Sequence, residues 1–270
     1  MNQPTDTSSL VVLIPIHNDW EALGMLLDQL AEVLPEPATV ILMDDGSTIE
    51  PQPTKVDDTT VNPLRPRGKL ERVQRVRLRR NVGHQRAIAI GLVYVYENFG
   101  QATCVVMDGD GEDNPSDIGR LLEESRKGSG NAIIFGARTR RSERWWFQVG
   151  YHAYRFLHRI LTGLPVRVGN FSAIPSSCLA RLVVISEMWN HYAAAVIKSR
   201  IPYRSIPSAR RKRLSGQSSM NLVGLITHGL SAISVYGETV GVRVLMATSG
   251  LAGLVLAAQT AVLLGDLEQL

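Results

Sequence analysis

The sequence predicts an α/β fold with a mostly parallel central sheet, followed by C-terminal juxtamembrane helices and a transmembrane helix. Three observations lead there. Apolar runs of strand length alternate with segments of helical periodicity through the first half, the pattern of a sheet covered on both faces. Several of those runs end abruptly in acidic or polar residues. Val244–Gly265 carries no charged residue, and at ~1.5 Å per residue a helix of that length crosses a bilayer core of ~30 Å.

The elements follow in order. Leu10–Ile14 reads as a strand and ends at Pro15-Ile16-His17-Asn18-Asp19. Trp20–Leu34 places Leu23, Leu26, Leu27, Leu30, Val33 and Leu34 at helical spacing. Ala38–Met43 is a second strand, closed by Asp44-Asp45-Gly46-Ser47, and the polar, Pro-rich Thr48–Lys69 reads as a loop. Val73–Leu78 is a third strand, and Arg80-Asn81-Val82-Gly83-His84 leads into a helix near Gln85–Asn98. Thr103–Met107 is a fourth strand, Ala132–Phe135 a fifth, and Asn114-Pro115 opens a helix with Pro in its first turn. Trp145–Leu161 is a helix whose aromatic stripe suits either a core or a membrane surface. These boundaries give an α/β domain over 1–220, a juxtamembrane amphipathic region over 221–243 and a membrane helix over 244–265.

Composition narrows the function. Two cysteines, Cys104 and Cys178, exclude a disulfide framework and a cysteine-based zinc site. Met1–Ser9 is polar and has no apolar signal core, so the α/β half is expected in the cytoplasm. Arg138, Arg140, Arg141 and Arg144 form one basic cluster, and Arg204 with Arg210–Arg213 a second. Such clusters near a membrane segment suit anionic head groups or phosphates, or simply a solvated surface. Aromatic interleaving is missing, so nucleic acid is not an expected partner. Arg243 before the apolar segment and Asp266 and Glu268 after it orient the large domain to the cytoplasm, at a bacterial inner membrane. The alternative is the buried helix of a soluble protein. Small residues such as Gly250 and Gly253 would permit homo-oligomers through the membrane helices. The sequence leaves open whether a second membrane helix follows the first.

The most informative stretch is Cys104–Glu112. An apolar strand ends in Asp108, Asp110 and Glu112, which extended spacing would turn to one side. Three hard oxygen ligands suit Mg²⁺ or Mn²⁺, while Asp and Gly are also ordinary residues of a solvated turn. From the residues alone both readings stand.

Taken together, Ile14–Asp19, Met43–Ser47, Arg80–Gln85 and Asp108–Pro115 resemble glycosyltransferase family 2, the GT-A fold, over roughly Leu10 to Gly241. The closer resemblance is to its polyprenyl-phosphate branch, the dolichyl-phosphate mannose synthase type, carried by Arg213-Leu214-Ser215-Gly216-Gln217-Ser218-Ser219. The resemblance implies nucleotide-sugar contacts from Pro15, His17, Asp19, Asp44, Asp45, Gly83, Gln85, Gly109 and Arg213. It implies metal binding and catalysis at Asp108 and Asp110, with Glu112 as a further ligand, and acceptor-phosphate contacts from Arg138, Arg140, Arg144 and Ser218.

This sequence departs from the pattern at several positions. His17 and Asp19 stand where the family has Tyr and Glu, Ser219 replaces a Lys, and Asn170 stands where many relatives carry Asp. Asn170 cannot act as a general base, which favours an acceptor already ionised, such as a phosphate of second pKa ~6. His191 reads either as an acceptor contact or as a structural histidine. The implied activity is inverting, metal-dependent transfer of a hexose from a UDP- or GDP-linked sugar to a polyprenyl phosphate lipid. Two alternatives are a family 2 enzyme with a glycan or other hydroxyl acceptor, and a non-catalytic, membrane-anchored nucleotide-sugar-binding protein.

Overall fold

The computed structural model describes residues 9–52, 54–56, 59–62, 64–127, 130–138, 156–163, 169–216 and 222–267. The chain divides into two compact units, one of residues 1–142 and 167–225, the other of residues 143–166 and 226–270.

The first unit is built on a seven-stranded sheet of order β5-β2-β1-β6-β8-β7-β9. Strand β1 (Leu10–Ile16) is buried along its whole length, as is β2 (Ala38–Asp44). Continuous apolar runs of this kind mark strands covered on both faces. Strand β1 pairs in parallel with β2 on one side and with β6 (Thr103–Val106) on the other. Strand β5 (Leu70–Arg77) extends the parallel set beyond β2. Strand β8 (Ser172–Ile174) is antiparallel to both β6 and β7 (Ile133–Arg138), and β9 (Tyr203–Ser208) runs parallel to β7. The sheet is thus mostly parallel with one reversed strand.

Alternate residues of β1 feed two cores, as a period of two requires. Val11 and Leu13 join the core under helix α2 (His84–Asn98), with Ala87, Ile88 and Leu92. Leu10, Val12 and Ile14 join the core under helix α1 (Trp20–Val33), with Leu23, Leu26, Leu27 and Leu30. Each fully buried Leu contributes roughly 1.5–3 kcal/mol of transfer free energy. Helix α3 (Ile118–Lys127) adds Leu121 and Leu122 to the second core.

Four details differ from the sequence expectation. Residues Thr54–Val56 and Thr59–Val61, within the expected loop, form a two-stranded antiparallel ribbon as β3 and β4. Asn114-Pro115 opens a 3₁₀ turn, Pro115–Asp117, before α3 begins. Strands β8 and β9 carry weak local signals: the first is three residues long, and the second is a largely exposed edge strand containing Pro207. A single helix spans Gly237–Leu267 without a break at residue 244.

In the second unit, the His158 ring is buried and meets Tyr236 edge-on at 6.4 Å. Arg243 Nη1 donates to the Ile160 carbonyl at 2.6 Å. The stretch Gly237–Val262, 26 residues, is long and apolar enough to cross a membrane, and the apolar window within it is exposed throughout.

Candidate active site

The chain runs outward from β1 to β2 and β5, then returns to place β6 on the opposite side of β1. Reversal of this kind opens a crevice at the carboxyl ends of the strands, where open α/β sheets bind ligands. The loops after β1, β2 and β6 all leave from that edge.

The loops after β1 and β2 are stapled together. Asn18 adopts a left-handed φ of 58°, and its Oδ1 accepts from Thr48 N at 2.9 Å and Ile49 N at 3.0 Å. Ser47 Oγ accepts from Asn18 N at 3.0 Å, and His17 Nδ1 lies 3.0 Å from the Asp45 carbonyl. Pro15 sits within β1, paired with Met43.

The two aspartates of the second loop are both buried, with separate duties. Asp44 accepts from Ser47 N at 2.8 Å and from Arg75 Nε and Nη2 at 2.8 and 2.6 Å. Burial alone would raise its pKa; the hydrogen bonds from Ser47 and the Arg75 guanidinium outweigh burial and lower it. Asp45 accepts from Val82 N at 2.6 Å and Gly83 N at 2.9 Å, one on each carboxylate oxygen. Close approach makes this possible: Gly46 has φ 65°, and a Cβ there would sit 2.5 Å from the Arg80 carbonyl carbon. Asp45 therefore ties its loop to the N-terminus of α2.

The acidic stretch does not continue the strand. Strand β6 ends at Val106, and Gly111 is left-handed with φ 76°, so the alternation of an extended chain lapses before Glu112. Among the described residues no three or more His, Cys, Asp or Glu side chains gather as a metal-holding group. The set Asp108, Asp110 and Glu112 is thus not assembled as the extended reading expected. Glu112 instead forms an ion pair with Arg210. Arg213 pairs with Asp19 and also lies with Nη1 3.2 Å from Asp110 Oδ2. The basic segment is laid on the acidic one by its backbone, with Arg211 N donating to the Glu112 carbonyl at 2.8 Å and Leu214 N to that of Asp110 at 3.0 Å.

Asp108 and Asp110 remain a pair. Burial raises the Asp110 pKa, and the Asp108 charge raises it further against the opposing pull of Arg213 and Arg210. Two adjacent carboxylates that resist joint ionisation are the donor set that a hard divalent cation relieves, so these residues fit Mg²⁺ or Mn²⁺.

Two side chains converge on Asp108 Oδ1: His84 Nε2 at 3.1 Å and Asn170 Nδ2 at 3.4 Å, themselves 3.0 Å apart. The His84 side chain is 44% exposed; its partial desolvation disfavours the charged form, but Asp108, Asp110 and Asp45 outweigh it and raise its pKa. Sequence reasoning misses His84. Its position directly after Gly83, opening the helix that faces the strand edge, is the signal that points to it.

Gln85 is buried. Arg138 ends β7, opposite Ser208. Arg140, Arg144, Ser218 and the residues from Trp145 through Tyr154 lie outside the described residues. His191 caps the helix Tyr192–Lys198, its Nδ1 accepting from Ala194 N at 3.4 Å, a structural duty.

A family model described as "Glycosyl transferase family 2" matches residues 11–186. The chain belongs to glycosyl transferase family 2. This glycosyltransferase is 22% identical over 236 residues to "Uncharacterized glycosyltransferase YkcC" of Bacillus subtilis (strain 168), covering 84% of this chain and 68% of that one. It is 30% identical over 127 residues to the "Dodecaprenyl-phosphate galacturonate synthase" of Rhizobium johnstonii, covering 46% of this chain and 34% of that protein's length. Among solved structures it is similar to glucosyl-3-phosphoglycerate synthase from Mycobacterium tuberculosis in complex with Mn²⁺, UDP-glucose and phosphoglyceric acid. There the TM-score is 0.58 at 16% identity, covering 87% of this chain and 80% of that one. A crystal structure of the same synthase with Mn²⁺, UDP and glucosyl-3-phosphoglycerate gives a TM-score of 0.55 at 16% identity, covering 87% and 81%. At such identity these likenesses concern the fold.

Proposed function

We propose that this glycosyltransferase moves a sugar from a nucleoside diphosphate sugar, UDP- or GDP-linked, to a polyprenyl phosphate at the cytoplasmic face of a bacterial inner membrane. The observation that carries the lipid acceptor is the exposed apolar helix Gly237–Val262 on a family 2 chain. The partial similarity to a dodecaprenyl-phosphate synthase supports the same reading. In it residues 1–220 form the catalytic domain, 221–243 lie along the interface and 244–265 cross the bilayer.

Asp108 and Asp110 would hold the divalent cation, Mg²⁺ or Mn²⁺, which supplies Lewis-acid stabilisation of the leaving nucleoside diphosphate when bound. Arg213, now shared between Asp19 and Asp110, turns its guanidinium to the diphosphate. Loops 15–19 and 44–48 receive the nucleoside. At the position where many relatives carry Asp, Asn170 has no basicity to deprotonate a sugar hydroxyl, so the acceptor must arrive ionised. A phosphate monoester does, its second pKa being ~6. One phosphate oxygen attacks the anomeric carbon as the bond to the diphosphate breaks, inverting that carbon. Polyprenyl-phospho-sugar and nucleoside diphosphate leave. Two anions meet in this step, so arginine charge at the site lowers its barrier. Arg138, Arg140, Arg144 and Ser218 would hold the acceptor phosphate.

The testing experiment presents UDP- and GDP-sugars with polyprenyl phosphate in detergent, with and without EDTA, and scores lipid-linked sugar. Metal-dependent lipid product supports the reading. Transfer that persists to a soluble hydroxyl acceptor without lipid phosphate rejects it.

A further inference from the structure

Gln85 and Asn170 stand apart from the rest of the site because their amides cannot choose their orientation. The Tyr192 backbone N–H, at the start of the helix Tyr192–Lys198, donates to Gln85 Oε1 at 2.8 Å. A backbone N–H is a donor without ambiguity. Gln85 Oε1 therefore faces Tyr192, and Nε2 must face the other way. There it donates to Asn170 Oδ1 at 3.2 Å. That bond in turn fixes Asn170, whose Nδ2 then lies 3.0 Å from His84 Nε2 and donates to Asp108 Oδ1 at 3.4 Å.

A second line pins the Asn170 backbone. Ser172 Oγ donates to the Asn170 carbonyl at 2.9 Å, so it accepts from the Tyr192 hydroxyl at 2.7 Å. Ser172 and Tyr192 are fully buried, and Gln85 is 8% exposed. The Tyr192 ring meets Phe135 at 6.0 Å in the core beneath.

We propose that Gln85 and Asn170 are positioning residues: a hydrogen-bond chain of fixed polarity, from the Tyr192 N–H through both amides, aims the Asp108 carboxylate. This rests on the reading of Asp108 as a cation ligand. It replaces the expected role of Gln85 as a donor contact and gives Asn170 a duty that Asp could not perform. An aspartate at this position could accept from Gln85 but would present a negative oxygen to Asp108. Partners of this kind behind a ligand typically change metal affinity 10–100-fold.

Two readouts on the intact protein test the chain. The first needs no metal. In protein labelled with ¹⁵N at asparagine side chains, the Asn170 Nδ2 resonance is identified by its loss in Asn170→Ser. Asp108→Ala should move one of its protons upfield and speed its exchange. In a Gln85→Glu background the introduced carboxylate can no longer donate. Asn170 then turns its NH₂ to that carboxylate, and Asp108→Ala should leave the resonance in place. A resonance that ignores Asp108→Ala in the otherwise unaltered protein overturns the proposal.

The second readout is Mn²⁺ affinity by calorimetry. Gln85→Glu keeps the bond to Tyr192 and adds negative charge, which by Coulomb attraction alone would tighten Mn²⁺. The chain predicts binding about 10–100-fold weaker, with an unchanged unfolding temperature. Equal or tighter binding overturns it. Should the unaltered protein bind no Mn²⁺, the cation reading fails, and the amide resonance decides the chain by itself.

Discussion

Arg213 lies with Nη1 3.2 Å from Asp110 Oδ2 while another of its guanidinium nitrogens donates to Asp19. The most basic segment of the chain is thereby held against the acidic loop after β6.

Replacing Arg213 by Gln should weaken use of the nucleotide sugar. Charge-assisted bonds of this kind are worth ~1.5–3 kcal/mol, so kcat/KM should fall about tenfold to hundredfold. Arg213→Lys should recover part of the loss. Initial rates against donor concentration check this, and equal loss in both variants would assign the fork geometry of the guanidinium as the essential feature.

Gly111 carries φ 76°, and a Cβ there would sit 2.4 Å from Leu214 Cδ1. Gly111→Ala should cost about 2 kcal/mol of stability from backbone strain and overlap, and should lift the 210–214 segment off Asp110. Adding Leu214→Ala should restore the overlap part but not the backbone part. Chemical denaturation of the single and double variants measures both.

Asp44 sets an acid limit. Its pKa is lowered in the folded protein, because the bonds from Ser47 and Arg75 outweigh burial. A lowered folded value contributes stability that is present above the unfolded value of ~3.9 and is lost as pH falls through the folded value. Arg75→Met should raise the folded value, move the loss to higher pH and cost about 3 kcal/mol near neutrality. Unfolding midpoints from about pH 6 down to about pH 3 in both proteins would check this.

Leu254 is 70% exposed on the helix Gly237–Leu267. If that helix spans the bilayer, Leu254→Arg adds ~2.5–3.5 kcal/mol to insertion. The fraction sedimenting with membranes should fall. A membrane fraction identical to that of the unaltered chain would point to a helix that does not insert.

The parts legible in sequence share one property: burial on both faces leaves a continuous apolar run. Strands β1 and β2 are of that kind, and α1 shows Leu23, Leu26, Leu27 and Leu30 at helical spacing. Strand β8 escapes because three residues, Ser172–Ile174, carry no period, and β9 because an exposed edge does not require apolar side chains. The acidic loop is legible as chemistry but not as geometry. Strand alternation would set Asp108, Asp110 and Glu112 side by side, whereas the left-handed Gly111 gives Glu112 to Arg210. His84 and Asn170 reach Asp108 across 24 and 62 positions of sequence, a proximity that local pattern does not encode.

In the proposed function Asp108 and Asp110 support metal-dependent transfer to a lipid phosphate. The most direct measurement follows labelled sugar from a nucleotide donor into polyprenyl phosphate with saturating Mn²⁺, comparing the unaltered enzyme with the isosteric Asp110→Asn. Lipid-linked sugar should form with the first and fall at least about a hundredfold, to background, with the second. Lipid product from Asp110→Asn at the unaltered rate, or equal product in EDTA, would contradict the account.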